Sequence, residues 1–141
     1  MYYVRIESTV DELDSAGLVE SSDKTEVSCP VSVSEWGGAI TLSYSEKTDG
    51  GEVNSLITVK PDSVTVSRTG AIESEFFFRE GEKNNSLYKI PPYSFDAEIY
   101  TKKIRNNLSA EGGVLTVIYN MALGGGNKSV RMKITRSGGN E

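Results

Sequence analysis

The chain contains no histidine and a single cysteine, Cys29. Without histidine, Ser-His-Asp and Cys-His catalysis are excluded, and so are the commonest zinc ligand sets. A lone cysteine can form neither an internal disulfide nor a thiolate metal site, and the acidic residues lack the spacing of a calcium loop. We therefore expect no metal, no cofactor and no enzymatic activity.

Long apolar runs are also missing from the chain. No stretch approaches the roughly 20 residues that a membrane-spanning helix needs. Met1–Glu7 shows no basic segment followed by an apolar one, as a secretory signal would. Because a single cysteine also suits a reducing compartment, we expect a cytoplasmic protein without a membrane partner.

Basic residues are scarce in the first third of the chain. Residues 1–52 contain eleven acidic and three basic side chains, whereas residues 53–141 contain nine acidic and twelve basic ones. The net charge of the whole chain is −5. An acidic chain has no bulk attraction for phosphate backbones, so we expect no nucleic-acid partner.

What the sequence has in abundance is alternation of apolar and polar residues. Turn signals recur roughly every 8–12 residues, which is typical of a β-sandwich or a β-barrel. We predict about ten strands, over residues 2–8, 24–34, 39–47, 52–60, 64–69, 72–80, 87–90, 94–105, 114–123 and around 130–135. Residues 10–23 are predicted to be an acidic loop with one helical turn at Val10–Leu13, and residues 137–141 a flexible tail. Glu82–Asn85 is predicted to be a polar loop and Gly124–Asn127 a tight turn.

The links between these strands are short. Parallel neighbours need a crossover of a dozen or more residues, so antiparallel pairing is predicted. Sequential strands leave two exposed edges unless the sheet closes on itself. We therefore predict that residues 1–141 form one all-β domain, a closed antiparallel up-and-down barrel of about 8–10 strands. Pro30 cannot donate to a strand ladder and indicates an edge or a bulge in the second strand.

Five polar residues occupy the alternate strand positions whose side chains are expected to face the core. They carry a guanidinium, a carboxylate and three phenols: Arg68, Glu46, Tyr44, Tyr88 and Tyr119. In one interpretation a salt bridge with satisfied tyrosine hydroxyls plugs the barrel, because a buried charge needs partners. In the other, the set is the polar end of a ligand pocket in which Arg68 binds a carboxylate or a phosphate.

A basic strip occupies the last three predicted strands. If these strands are neighbours, five basic side chains face outward together: Lys102, Lys103, Arg105, Arg131 and Lys133. An acidic partner would fit such a strip. A solvated barrel wall is favoured, because the charge density is modest and no aromatic stacking platform is evident.

From about Ile40 onward, five short segments resemble a known family in their order and spacing: Leu42-Ser43-Tyr44-Ser45-Glu46, Val66-Ser67-Arg68-Thr69-Gly70, Phe78-Arg79-Glu80-Gly81, Ser86-Leu87-Tyr88-Lys89-Ile90-Pro91-Pro92-Tyr93 and Val117-Ile118-Tyr119-Asn120-Met121. They are similar to the YwiB-like proteins of Gram-positive bacteria, a family of unknown function. The resemblance implies a calycin-type barrel, shaped like the lipocalins, and no established activity. Ser94 stands where the family pattern usually has glycine.

Two main functional hypotheses remain open at this point, and a third, an enzyme that uses Tyr, Arg and Glu without histidine, is disfavoured because it needs a solvent-open cleft with Glu46 close to Arg68. The first is a non-enzymatic cytoplasmic barrel that binds a small, partly apolar or anionic molecule inside, with Arg68 as the anchor. The second is a protein-interaction or structural module whose barrel is filled by its own side chains. A homo-oligomer is compatible with either hypothesis.

Overall fold

The computed structural model describes residues 2–108, 112–123 and 126–138. In this part of the chain every regular element is a β-strand. The ten strands are β1 (Tyr2–Leu13), β2 (Val19–Trp36), β3 (Ala39–Thr48), β4 (Gly51–Val59), β5 (Val64–Gly70), β6 (Glu73–Phe78), β7 (Lys83–Ile90), β8 (Tyr93–Asn106), β9 (Gly113–Leu123) and β10 (Gly126–Gly138).

The strands form a closed barrel in which each strand pairs antiparallel with its neighbours along the chain. β1 and β10 pair with each other along twelve residues and close the sheet. The prediction of a closed antiparallel up-and-down barrel is therefore confirmed. Short links leave antiparallel pairing as the only option, and closure satisfies the backbone groups of strands that would otherwise lie at an edge.

The prediction of an acidic loop over residues 10–23 is wrong. β1 continues to Leu13, so the expected helical turn is absent, and β2 begins at Val19. Only residues 14–18 form the connection, where the Asp14 carboxylate accepts hydrogen bonds from the amides of Ala16 and Leu18, both at 2.9 Å. Residues 19–26 of β2 are exposed throughout, so this part of the strand covers no core.

Two further loop predictions are corrected at strand ends. The polar segment Glu82–Asn85 is mostly strand, because β7 begins at Lys83, whose ammonium lies 3.4 Å from the Glu98 carboxylate of β8. Of the predicted turn at Gly124–Asn127, Gly126 and Asn127 belong to β10, and residues 124–125 lie outside the described part of the chain. Of the predicted tail, residues 137–138 also belong to β10 and residues 139–141 are not described.

Apolar side chains fill the middle of the barrel. The inward-facing positions of the strands form one contiguous hydrophobic cluster. Its innermost members, each with 0% of the side chain exposed, are Leu42, Val64, Leu115, Val117 and Ile134. Because protein interiors pack at crystal-like density, this region excludes a ligand of substantial size.

The barrel has a weak seam between β2 and β3. These strands pair only along Ser32–Trp36 and Ala39–Ser43. Within the described residues, positions 19–31 of β2 have a partner on β1 but none on the opposite side. We call this stretch the β2 edge. Pro30 lies in it, which agrees with the prediction that the proline marks an edge.

Candidate functional site

Five inward-facing polar or aromatic residues form one continuous row across five strands. Each member is the direct cross-strand partner of the next, in the order Tyr44, Ser55, Arg68, Ser74 and Tyr88. We call them the polar row. It lies toward the barrel end that carries the connections at residues 49–50, 71–72 and 91–92, which we call the mouth.

Burial differs along the polar row. Tyr44 and Ser55 are buried, whereas Arg68 and Tyr88 are partly exposed. The ring of Tyr88 stacks on Phe76, with ring centroids 5.9 Å apart. On β3 to β7 the polar row therefore borders the apolar cluster on its mouth side.

Arg68 has no counter-ion in the described part of the chain. No carboxylate there lies within 4.0 Å of its guanidinium, and its buried Nε has no hydrogen-bond partner among the same residues. Its positive charge interacts with two phenols, because it acts to lower the pKa of both Tyr44 and Tyr119. Arg68, Tyr44 and Tyr119 therefore share one electrostatic environment.

The phenols near Arg68 are neutral at physiological pH. Burial raises the pKa of Tyr119 to about 12, outweighing the opposing effect of Arg68. Burial also raises the pKa of Tyr44, against smaller effects of Ser55 and Arg68 in the other direction. The Ser55 Oγ lies near this phenol but makes no hydrogen bond of good geometry. These groups can donate hydrogen bonds, but they do not neutralise the guanidinium.

Glu46 lies in the next row toward the mouth, where it pairs with Val53, which in turn pairs with Gly70. It forms no salt bridge with Arg68, so the predicted ion pair that would plug the barrel is not formed. The pKa of Cys29 is raised by burial and, to a smaller extent, by the negative charge of Glu46. Glu46 therefore faces the seam side of the mouth.

Gly70 ends the strand that carries Arg68. Its φ is +103°, and a Cβ at this position would overlap the carbonyl oxygen of Glu52. That same oxygen accepts a hydrogen bond of 2.9 Å from the amide of Ala71. Only glycine allows this close approach, so the Arg-x-Gly spacing has a structural reason.

Sequence reasoning missed several inward-facing polar residues. Ser55 and Ser74 share the parity of the apolar residues on their strands, and that signal could have found them. Arg136 shares the parity of Val130, Met132 and Ile134, is only 2% exposed and interacts with its surroundings. It pairs with Val4 and Gly113 at the barrel end opposite the mouth.

The predicted basic strip lies on the outer wall of β8, β9 and β10. Arg131 and Lys103 flank Ile118 of β9, and Lys133 and Arg105 flank Thr116. Lys102 lies at the irregularity of β8 beside Lys103. The expectation that these side chains face outward together is confirmed, and none of them forms a salt bridge with a residue that the structure describes.

Two grooves reach the polar row, and both are open to solvent. A groove of about 670 Å³ lies at the seam between β2 and β3 and is lined by Val31, Val33 and Tyr44, among others. A second groove of about 340 Å³ lies on the outer wall of β5, β6 and β7, where it is lined mostly by outward-facing residues and also touches Arg68 and Ser74. Solutes can approach the row through the seam groove, but neither groove is an enclosed cavity of the kind that a lipocalin-like ligand site requires.

Residues 2–108, 112–123 and 126–138 show neither a candidate metal site nor a membrane-spanning helix. No group of three or more Cys, Asp or Glu side chains there could hold a metal ion. The same residues contain no helix long and apolar enough to cross a membrane.

Comparison with known proteins places the chain among proteins without an assigned activity. The family described as "Domain of unknown function (DUF1934)" matches residues 6–138. The chain is 31% identical over 101 residues, 71% of each chain, to the "Uncharacterized beta-barrel protein YwiB" of Bacillus subtilis (strain 168). The crystal structure of the ywiB protein from Bacillus subtilis shares the fold with a TM-score of 0.82 and 24% identity, covering 98% of this chain and 92% of that one.

Proposed function

Because this chain belongs to the DUF1934 family, whose function is unknown, we propose a function from the geometry of the mouth: it binds a small anionic molecule there, with Arg68 as the anchor. The observation that carries the proposal is that Arg68 has no counter-ion among the described residues. Tyr44, Tyr88 and Tyr119 supply hydroxyl groups around the same region, and Glu46 borders it. The ligand would be a carboxylate or a phosphate, the two groups that a guanidinium binds with paired hydrogen bonds.

The physical argument rests on the cost of an unpaired charge. A partly buried guanidinium loses hydration and recovers that free energy only when an anion or a set of acceptors replaces the water. The neighbours of Arg68 along the polar row are the serines Ser55 and Ser74, which provide no negative charge. A bound anion would provide it, and the serine and tyrosine hydroxyl groups could donate to its remaining oxygens.

The filled core limits the size of the ligand. Buried side chains occupy the barrel below the polar row, so a long apolar tail has no room there. The stacked rings of Phe76 and Tyr88 offer a small apolar wall beside Arg68. The proposal is thus a compact anion at the mouth, with at most a short apolar portion.

We propose binding rather than catalysis. The chain has no histidine, and tyrosines with raised pKa values are poor proton acceptors at neutral pH. A cytoplasmic location is part of the proposal, because one unpaired cysteine suits a reducing compartment.

The test combines native mass spectrometry of the protein purified from its own cells with calorimetric titration of acetate, decanoate and inorganic phosphate. We expect a retained anion or saturable binding of at least one probe, lost in Arg68→Gln. Arg131→Gln removes the same charge from the outer wall and should leave binding unchanged. If no anion is retained and none of the three probes binds, the proposal fails.

A second candidate is an interaction or structural module without a ligand. The filled middle of the barrel favours it, because such a module needs only a solid scaffold. It predicts that Arg68→Gln and Arg131→Gln behave alike in every binding measurement with small anions. The same titrations therefore separate the two candidates.

A further inference from the structure

The β2 edge is a long row of backbone groups without a strand partner. Residues 19–31 pair with β1 on one side, and no residue that the structure describes pairs with them on the other. Backbone N–H and C=O groups at an edge form hydrogen bonds readily with another strand. An edge of this length can accept an antiparallel strand from outside the barrel.

Pro30 indicates which residues offer their backbone groups to the outside. Alternate residues of a strand direct these groups to opposite edges. Proline has no backbone N–H and is tolerated in a strand where its nitrogen faces an open edge. The nitrogen of Pro30 therefore faces away from β1, and the other even-numbered residues of the β2 edge direct their backbone groups the same way. Lys24 and Glu26 are two of these residues.

Charges along an edge normally prevent pairing with another strand. Here their order is self-complementary for a two-fold axis at Thr25. Two antiparallel copies of β2 would then place Lys24 opposite Glu26 of the second copy, and the reverse, with Thr25 opposite its own equivalent. Axes at Lys24 or Glu26 would place like charges opposite each other, which destabilises a strand pair.

The same arrangement covers exposed apolar residues. Leu18 and Val19, at the start of the β2 edge, are 66% and 58% exposed. The β-bulge at Glu20 ends the regular register centred on Thr25, and it leaves Leu18 and Val19 of the second copy beside the region of Val31. Val31 lines the groove of about 670 Å³ at the seam. The pairing would therefore bring apolar side chains of one copy to the open groove of the other.

We propose that the β2 edge is a self-association surface, and that two copies of the chain pair antiparallel along residues 19–31 with a two-fold axis at Thr25. The contact is isologous, so it closes at two copies and builds no filament. Glu26, which already lies 3.1 Å from Arg5 on its own chain, would be shared with Lys24 of the second copy. Arg68 takes no part in this pairing.

The test is sedimentation velocity of the full chain over a wide concentration range at physiological ionic strength. We expect a reversible monomer–dimer equilibrium for the unmodified protein. Lys24→Glu turns both interchain attractions into repulsions and should weaken the dimer about tenfold. Glu26→Lys should do the same. Lys89→Glu, an equal charge change on the outer face of β7, is the control and should change nothing.

The decisive sample is an equimolar mixture of Lys24→Glu and Glu26→Lys. In a mixed dimer both cross-strand pairs again carry opposite charges, so the mixture should dimerise where each variant alone does not. The proposal is overturned by a protein that stays monomeric at all concentrations, by a dimer that Lys24→Glu leaves intact, or by a mixture that remains monomeric. The anion-binding proposal is tested independently, with Arg68→Gln.

Discussion

Phe78 of β6 and Tyr119 of β9 pack against each other across the barrel, with ring centroids 4.7 Å apart and ring planes tilted by 47°. β6 and β9 are not neighbours in the sheet, so this contact spans the interior. It places the Tyr119 phenol at the boundary between the apolar core and the polar residues around Arg68. The ionisation of Tyr119 therefore reports on how well this boundary excludes water.

Tyr119 should make the folded protein less stable in alkaline solution. Its pKa is raised by burial from the usual value of 10 to about 12. The unfolded chain therefore loses this proton first, and the free energy of unfolding falls as pH rises from 10 to 12, whereas below pH 10 it is unaffected by this group. The loss amounts to about 3 kcal/mol at most. Urea denaturation at several pH values measures it.

Tyr119→Phe is the matched variant for that experiment. It keeps the ring beside Phe78 and removes the ionisable hydroxyl, so its stability should fall less between pH 10 and pH 12. Spectrophotometric titration should show one fewer late-titrating tyrosine than in the unmodified protein. A pH dependence that is unchanged in Tyr119→Phe would contradict the burial of this phenol.

Gly70→Ala should destabilise the barrel strongly. The new Cβ would overlap the Glu52 carbonyl oxygen, and φ at this position is +103°, so both the strand contact and the backbone conformation resist the change. We expect a loss of roughly 3 kcal/mol or more in the free energy of unfolding, measured by denaturant titration.

Gly37→Ala is the control for the conformational part of that loss. Gly37 also has a positive φ, +60°, but a Cβ there would meet nothing within 4 Å. It should cost about 1 kcal/mol. Equal losses in the two variants would show that the close approach of Gly70 to Glu52 is not a constraint on the fold.

The sequence predicted the strands well wherever one face is buried. In β9 the alternation of Leu115, Val117 and Tyr119 matches the inward face of the strand. The prediction of a loop over residues 10–23 was wrong because a polar pattern on both faces is typical of a loop. In the structure backbone pairing with β1 holds these residues of β2 extended without an apolar face.

Only part of the candidate site could be predicted from the sequence, for a related reason. Parity shows that Arg68 faces inward, but it does not show which residue lies opposite on the next strand. That register depends on the turns, and it determines that Ser55 and Ser74 flank Arg68 while Glu46 lies one row away. The choice between an ion pair and an unpaired guanidinium therefore needed the register.

Cys29 should react slowly with a thiol reagent such as DTNB near neutral pH. Its pKa is raised, first by burial and then by the charge of Glu46, so little thiolate is present. Glu46→Gln removes the second cause and should speed the reaction in the folded state. Glu35→Gln, an exposed residue near the end of β2 opposite the mouth, is the matched control and should leave the rate unchanged. A rate that is identical in all three proteins would place Glu46 away from Cys29.

Replacing Arg68 by methionine should separate its stability effect from its binding effect. In the ligand-free protein the described residues provide neither an ion-pair partner for the guanidinium nor a hydrogen-bond partner for its buried Nε. Removing such a charge while keeping an apolar stem of similar length should leave the free energy of unfolding unchanged or raise it by about 1 kcal/mol. Anion binding should nevertheless be lost, because the group that would bind the anion is gone.

Arg131→Met is the matched control for Arg68→Met, since it removes an exposed arginine of the basic strip. Its stability should change by less than about 0.5 kcal/mol, and its anion binding should be unaffected. Denaturant titration with and without phosphate or acetate measures both quantities. A loss of several kcal/mol in anion-free Arg68→Met would mean that the guanidinium stabilises the fold through partners within the barrel, and Arg68 would then be a structural plug at the mouth.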